Sequence, residues 1–138
     1  AYTLIQPLLR SSYSGYGTCA LTDDVEDLAM LIAHLKGGGT AAERASSKLP
    51  VFGKVALAGH STGCQISVAY ARAVKEGAAA GGDGTPSVDA VVLQAPVSDR
   101  EYAETLPGTA DALERARALV LAGDKDECMR RADNYDGT

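Results

Sequence analysis

A five-residue segment, Gly59-His60-Ser61-Thr62-Gly63, constrains the fold of this chain more than any other feature. It directly follows the short apolar run Lys54–Ala58, and the residues after it, Cys64–Glu76, have the composition of a helix that ends at Gly77. A G-x-S-x-G pattern between a strand and a helix is typical of a nucleophile elbow, a sharp turn that lifts a serine hydroxyl to the top of a sheet. The sequence therefore predicts an α/β fold built around this turn.

The chemistry of the elbow assigns a role to each of its residues. Ser61 is the predicted nucleophile, and it lies close to a helix N-terminus, where free N–H groups favour developing negative charge. The backbone N–H of Thr62 is the predicted oxyanion donor. Gly59 and Gly63 are expected to approach each other so closely that Cβ atoms would clash, and His60 is expected to pack within the elbow.

Strands and helices alternate along the rest of the chain. A strand, Thr3–Leu9, and a polar loop, Ser11–Thr18, precede a helix that Asp23 caps, with Glu26 as its capping-box partner. The apolar positions of that helix share one face at the 3.6-residue period; they are Val25, Leu28, Leu31, Ile32 and Leu35. The later predicted segments are a polar connector over 40–50, the surface loop 78–86, a strand Ala90–Ala95, and helices Asp99–Thr105 and Asp111–Ala122. This order predicts a parallel sheet flanked by helices on both faces.

Composition excludes several classes of function. The net charge of −5 argues against nucleic-acid binding, and no apolar run approaches the ~20 residues that a membrane span requires. The three cysteines are widely spaced and form no C-x-x-C pair, which argues against a zinc site or a disulfide framework and favours a cytoplasmic location. The glycine clusters at 37–39 and 81–84 do not follow strands, so a nucleotide-binding loop is disfavoured.

The two histidines, His34 and His60, do not fit the role of general base. In an α/β-hydrolase the triad follows the chain order serine, acid, histidine, and no histidine follows Ser61. His60 is adjacent to the serine, but the elbow directs successive side chains apart. His34 falls in an amphipathic helix, where it is expected to be a surface or helix-end residue. The triad therefore cannot be completed in the usual order from these residues.

Four segments carry a resemblance to a known family; they are Leu4–Leu9, Ser12–Gly17, Gly59–Gln65 and Val92–Glu101. Together they resemble a mainly fungal α/β-hydrolase family that is catalogued as a domain of unknown function and includes a siderophore esterase acting on fusarinine C and triacetylfusarinine C. The resemblance spans nearly the whole chain. It implies an intracellular serine esterase without a metal or organic cofactor, whose small-molecule substrate is a hydroxamate siderophore ester.

The resemblance also implies that residues 1–138 are a middle segment of one α/β-hydrolase domain, because members of the family are about twice as long and the chain opens without Met. The three strands resemble the fourth, fifth and sixth of the fold. The third strand, which carries the loop with the second oxyanion donor, would lie upstream, and the acid and histidine would lie downstream. Because the third strand fits between the fourth and fifth, its absence would leave a gap in the sheet and expose strand edges. The oligomeric state is not predicted.

Asp124 and Asp126 are alternative candidates for the triad acid. The segment Leu119–Asp126 resembles a strand and loop that carries the catalytic aspartate in many hydrolases. The preferred interpretation is that Asp111–Ala122 continues as one helix, with Gly123 ending it. In that case neither aspartate follows a strand.

Polar residues after the predicted strands are candidates for a substrate mouth, since parallel sheets bind ligands at the carboxyl ends of their strands. They are Ser12, Tyr13, Tyr16, Ser98 and Asp99. An equally open alternative is that Asp99 caps the following helix and Arg100 pairs locally. Cys64 is expected to be a small buried hydrophobic residue and not a nucleophile.

The sequence is consistent with two candidate functions. The first is an ester hydrolase with Ser61 as its nucleophile. The second is a catalytically incomplete segment or a non-catalytic interaction remnant, which the missing histidine favours.

Overall fold

The computed structural model describes residues 2–15, 18–79, 84–127, 129 and 133. In chain order the elements are a 3-10 turn (Tyr13–Gly15), α1 (Leu21–Leu35), α2 (Ala41–Ser46), β1 (Ala56–His60), α3 (Thr62–Ala79), β2 (Ala90–Gln94), α4 (Asp99–Glu104) and α5 (Thr109–Ala122). The chain divides into two compact units, Ala1–Pro96 and Val97–Thr138. The first unit contains the elbow.

The sheet in the described part of the chain is a parallel pair in which β1 aligns with β2 from Ala56↔Ala90 to His60↔Gln94. Asp89 closes the beginning of the pair: its N–H donates to the Val55 carbonyl at 2.8 Å, and its carboxylate accepts from the Val55 N–H at 2.8 Å. The helix α3 crosses between the strands. The predicted β-α-β unit around the serine is therefore formed, in the α/β manner expected.

The core of the first unit lies where α1 packs against α3. Leu28 and Ile32 of α1 and Ile66 and Tyr70 of α3 form one buried cluster, and Tyr70 is completely covered. Leu28 and Ile32 are four residues apart and lie on the same face of the helix. The apolar periodicity predicted for α1 is confirmed.

The prediction of a first strand over Thr3–Leu9 is wrong: residues 2–9 carry no strand assignment. A strand is defined by hydrogen bonds to a neighbour, and the ladder among the described residues joins β1 and β2 alone. The second predicted strand, Lys54–Ala58, is displaced by two residues to Ala56–His60. The apolar run located this strand, but its hydrogen bonds extend into the elbow, so Gly59 and His60 belong to the strand.

The start of α1 also differs from the prediction. The N-cap is Ala20, and Asp23 is the third helical residue, where its carboxylate accepts from the Ala20 N–H at 2.8 Å. Glu26 is not its capping-box partner, because it pairs with Arg10 at 3.0 Å. Asp23 therefore satisfies a free N–H of the first turn from inside the helix.

The polar connector predicted for 40–50 contains a short helix, α2. Thr40 is its N-cap: the Thr40 Oγ1 accepts from the Glu43 N–H at 3.3 Å, and the Glu43 carboxylate accepts from the Thr40 N–H at 2.6 Å. The donation from Thr40 holds the pKa of Glu43 below its ordinary value. This Thr-x-x-Glu pattern is a capping box, a signal for a helix start that is present in the sequence.

Helix boundaries elsewhere moved by a few residues. The elbow helix begins at Thr62 and continues past Gly77 to Ala79, into the segment predicted as a loop. In the second unit α4 ends at Glu104, and α5 begins at Thr109, two residues before the predicted start. The α5 helix ends at Ala122, with Gly123 at φ 89° as its C-cap. This confirms that 119–122 are helical.

A groove of about 890 Å³ runs through the first unit. One side is formed by residues of the segment 2–9, the other by Lys54–His60, and side chains of α1 and α3 form the floor. All five residues of β1 line the groove, together with Ala90 at the start of β2. Its lining is largely apolar, with Leu4, Ile5 and Leu57 among its walls.

Candidate functional site

Ser61 lies between the end of β1 and the start of α3 with a backbone φ of 51°. A non-glycine residue in this left-handed region stores roughly 1–3 kcal/mol of strain, and such residues cluster at functional sites. The Ser61 N–H donates to the Gln94 carbonyl at 3.2 Å, and the Ser61 carbonyl accepts from the Cys64 N–H at 2.8 Å. The turn therefore has the strained geometry that the G-x-S-x-G pattern predicts.

The two elbow glycines differ in what surrounds them. A Cβ on Gly59 would lie 2.2 Å from the Gly63 carbonyl oxygen and 2.6 Å from the Ser67 Oγ. A Cβ on Gly63 would meet no described atom within 4 Å. The close approach expected at both positions is therefore found only on the Gly59 side, and Gly63 instead lines the groove.

Two polar side chains of α3 lie beneath the elbow. Cys64 is 3% exposed, and its thiol donates to the carbonyls of Gly59 at 3.2 Å and Gln94 at 3.1 Å. Ser67 is 2% exposed, and its hydroxyl donates to the Gly63 carbonyl at 2.7 Å. Cys64 is buried as expected, but its thiol serves as a hydrogen-bond donor as well as filling space.

Thr62 is the first residue of α3, an eighteen-residue helix. The first N–H groups of a helix have no partner within it, and the helix dipole places positive potential at this end. The Thr62 N–H therefore lies at the positive end of the helix, and its role as an oxyanion donor stays a prediction. His60 precedes the serine with an exposed side chain that lines the groove, so its expected packing within the elbow is not seen.

His34 has a structural partner. Its Nε2 lies 2.9 Å from the Ser47 Oγ, and its backbone carbonyl accepts from Arg44 at 2.5 Å. The two contacts hold α2, through Arg44, and its C-cap Ser47 against the last turn of α1. The expectation that His34 is a helix-end residue agrees with this environment.

The loop after residues 2–9 is fastened to the start of α1. The Arg10 guanidinium meets the carboxylates of Asp27 at 2.9 Å and Glu26 at 3.0 Å, and its pKa is raised chiefly by the hydrogen bond to Glu26. Asp24, which is 3% exposed, accepts from the Ser11 Oγ at 2.6 Å and the Ser11 N–H at 3.2 Å. The sequence analysis did not identify Arg10, Ser11 or Asp24. The sequence signal that could have pointed to these contacts is the group of four acidic residues within Asp23–Asp27.

The predicted substrate-mouth residues fall into three groups. Ser12 accepts from the Leu9 N–H at 3.0 Å and closes the turn after the segment 2–9, and Tyr13 follows it, 86% exposed with φ 54°. Tyr16 lies outside the described residues. Ser98 and Asp99 belong to the second unit.

The alternative that Asp99 caps the helix and Arg100 pairs locally is confirmed in part. The N-cap is Ser98, whose Oγ accepts from the Glu101 N–H at 3.2 Å, and Asp99 is the first helical residue. Arg100 pairs locally with Glu104 at 3.0 Å. Asp124 and Asp126 follow α5 in the second unit, and neither comes after a strand, because 119–122 are helical.

Ala95 is a further strained residue that the sequence analysis missed. It directly follows β2 with φ 48°, just as Ser61 directly follows β1. Alanine gives no signal for this conformation, since glycine, asparagine and aspartate are the residues that usually adopt it. Both strands of the described sheet therefore end in a left-handed residue at the same edge.

The described residues contain no group of three or more histidine, cysteine, aspartate or glutamate side chains placed to hold a metal ion. Of the helices in the part of the chain that the structure describes, none is both long and apolar enough to cross a bilayer.

Comparison with known proteins identifies relatives by sequence. A family model described as a protein of unknown function, DUF1749, matches residues 1–134. Esterase AN6793 of Emericella nidulans is 30% identical over 123 residues, an alignment that covers 76% of this chain and 30% of the esterase. The chain thus spans less than a third of the length of that relative. No solved structure matches the chain.

Proposed function

Since this chain belongs to the DUF1749 family, we propose that it carries the nucleophile of a serine ester hydrolase, and that the nucleophile is Ser61. One observation carries this proposal: Ser61 occupies a left-handed turn between a parallel strand and a helix, and the turn brings the Gly63 carbonyl too close to Gly59 for a side chain there. The Emericella nidulans relative is named an esterase, which supports the class of reaction.

In the proposed reaction the Ser61 Oγ attacks the carbonyl carbon of an ester. A histidine base takes the hydroxyl proton as the new C–O bond forms, and the same histidine returns it to the alcohol that leaves when the ester C–O bond breaks. The Thr62 N–H at the start of α3 stabilises the oxyanion. Water then attacks the acyl-enzyme and releases the carboxylic acid, which regenerates Ser61.

The remaining catalytic groups belong, in this proposal, to parts of a longer polypeptide. No histidine follows Ser61 in the sequence, and the chain covers 30% of the relative's length. The groove along β1 supports the same view. A further strand inserted between the segment 2–9 and β1 would complete the sheet and bring the loop with the second oxyanion donor towards Ser61.

The proposed substrate is a hydroxamate siderophore ester, cleaved in the cytoplasm to release iron, with no metal or organic cofactor in the reaction. This choice follows from the resemblance of the four sequence segments to the family that includes a siderophore esterase. Ser12 and Tyr13 of the first unit remain proposed residues of its substrate mouth.

A second candidate is a catalytically incomplete interaction remnant. It is favoured by the environments of the two histidines, because His34 is bonded to Ser47 and His60 is exposed beside the groove. In this alternative the strained serine persists as part of the fold and has no nucleophilic role.

Labelling with a fluorophosphonate probe distinguishes the two candidates. We expect the longer polypeptide that contains this chain to be labelled at Ser61 and Ser61→Ala to be unlabelled. Ser46→Ala, which alters an exposed serine of α2, is the matched control and keeps full labelling. Equal labelling of wild type and Ser61→Ala contradicts the nucleophile assignment, and absence of labelling in the wild type favours the remnant.

A further inference from the structure

The backbone carbonyls of the elbow are tied down by side chains from the helix that follows it. The Cys64 thiol reaches the Gly59 carbonyl in β1 and the Gln94 carbonyl at the end of β2, at 3.2 and 3.1 Å. The Gln94 carbonyl is also the acceptor for the Ser61 N–H, at 3.2 Å. The thiol therefore connects β1 and β2 at the carboxyl end of their ladder, next to the left-handed Ser61.

Ser67, about one turn further along α3, bonds to the residue at the other end of the elbow motif, Gly63. Its hydroxyl donates to the Gly63 carbonyl at 2.7 Å, and its Oγ lies 2.6 Å from the position that a Cβ of Gly59 would occupy. The hydroxyl thus fills the space that the missing side chain of Gly59 leaves. A larger side chain at position 59 or at position 67 would therefore overlap the other residue.

Both side chains are polar at positions where the helix is otherwise apolar. Cys64 and Ser67 share the buried face of α3 with Ile66 and Tyr70, and both are almost completely covered. A buried polar group needs a hydrogen-bond partner, and the partners here are the carbonyls of three residues that frame Ser61. An apolar face alone would dock the helix without fixing the orientation of those peptide groups.

We propose that Cys64 and Ser67 are positioning residues, which hold the peptide groups of Gly59, Gly63 and Gln94 so that Ser61 stays in its left-handed conformation. Their effect on the reaction rests on the proposed function of Ser61, whereas their effect on the elbow backbone does not. Neither side chain touches the substrate, because both lie beneath the turn. A strained residue persists only where its surroundings over-determine it, and these two donors supply that constraint.

The first test is hydrogen exchange by mass spectrometry on the intact protein, read in peptides that cover residues 57–67. We expect Cys64→Ala and Ser67→Ala to raise amide exchange in these peptides about tenfold, the effect of losing a net hydrogen bond of ordinary strength. Cys64→Ser keeps a donor of similar size, and it is expected to restore most of the protection.

Tyr70→Phe is the matched control. It removes another buried hydrogen bond of the same helix, from the Tyr70 hydroxyl to the Pro86 carbonyl at 2.5 Å, two turns away from the serine. We expect it to raise amide exchange along α3, with no larger increase in the peptides over residues 57–67 than in the rest of the helix. If Cys64→Ala and Ser67→Ala disturb the elbow no more than Tyr70→Phe does, the proposal is wrong.

The second test is the rate constant for phosphonate labelling of Ser61 in the same variants, compared at a temperature where each is folded. We expect it to fall about tenfold in Cys64→Ala, to recover in Cys64→Ser, and to stay unchanged in Tyr70→Phe. Labelling that is unaffected by Cys64→Ala and Ser67→Ala would contradict the positioning role. A wild type that is not labelled counts against the proposed function, while the exchange experiment still decides the role of the two donors.

Discussion

Ser61 and Gly59 depend on each other. The left-handed serine turns the chain back on itself, and this brings the Gly63 carbonyl to within 2.2 Å of the position that a Cβ on Gly59 would take. Glycine is required at 59 by contact with backbone, which cannot move aside as a flexible side chain can. The same argument does not apply to Gly63, which faces the groove.

The two glycines should therefore respond differently to the same substitution in this chain. We expect Gly59→Ala to lower the free energy of unfolding by roughly 3 kcal/mol, because the added methyl overlaps backbone. We expect Gly63→Ala to leave it unchanged or raise it by up to ~1 kcal/mol, since alanine is the better helix former and its Cβ meets open space. Urea unfolding followed by circular dichroism measures both, and an equal loss in the two variants would contradict the asymmetry.

Among the elements, α3 connects the site to the rest of the first unit. Its N-terminal turn carries the elbow, its middle packs on α1 through Ile66 and Tyr70, and the Tyr70 hydroxyl donates to the Pro86 carbonyl in the segment before β2. Burial raises the pKa of Tyr70 from 10.0 to about 12. The helix therefore holds a neutral phenol that would be ionised in the unfolded chain at high pH.

This pKa shift predicts how stability changes with pH. Between pH 10.0 and about 12 the unfolded chain has lost the Tyr70 proton, whereas the folded chain has kept it. The contribution of Tyr70 to the free energy of unfolding is therefore complete below pH 10.0 and is lost as the pH rises through this interval. We expect the urea midpoint to fall over this interval and the fall to be smaller in Tyr70→Phe. Tyr2→Phe, at a fully exposed position, is the control and should keep the wild-type slope.

Elements with their own periodicity and end signals could be predicted from the sequence. The α1 helix has its apolar stripe and the glycines after Leu35, and α5 has a glycine at its end, so α1 was located within three residues and α5 within two. The α2 helix was missed although its Thr40 and Glu43 form a capping box, because its six residues, AAERAS, include no large apolar side chain whose periodicity would reveal a helix. Thr3–Leu9 was predicted as a strand from composition, which does not show whether a hydrogen-bonding neighbour is present.

The site was predictable only in part, for a related reason. The G-x-S-x-G pattern fixed the position of Ser61 and the need for Gly59, since both follow from the geometry of one local turn. The bond from the Cys64 thiol to the Gln94 carbonyl joins residues 30 positions apart, and the strain at Ala95 follows β2, so no local pattern encodes either. The bonds from Cys64 to Gly59 and from Ser67 to Gly63 are local, but neither side chain belongs to the G-x-S-x-G pattern.

For the whole chain, the groove along β1 bears directly on activity. Among the described residues β1 has a strand on one edge only, and our proposal assigns the second oxyanion donor to a strand that would occupy the groove. An open strand edge of this kind also favours association between copies. The chain and the longer polypeptide that contains it should therefore differ in activity much more than in the conformation of the elbow.

We accordingly expect the purified 138-residue chain to show negligible turnover of a p-nitrophenyl ester, because no histidine follows Ser61 and our proposal assigns the base and the second oxyanion donor to other parts of a longer polypeptide. Initial rates and the pre-steady-state burst measure this, with the longer polypeptide as the positive control and its Ser61→Ala variant as the negative control. A burst from the 138-residue chain that is absent in its own Ser61→Ala variant would contradict the prediction.

The register of the parallel pair has a consequence for how the chain acquires its serine geometry. Every pair of the ladder, from Ala56↔Ala90 to His60↔Gln94, joins residues 34 positions apart. Closing a loop of that length is entropically unfavourable until the intervening helix has formed and packed, so the ladder belongs to the late steps of folding. The Gln94 carbonyl can accept from the Ser61 N–H only once this loop has closed. A peptide that spans 54–76 contains the whole sequence motif and lacks this anchor, so the strained turn is acquired through tertiary folding.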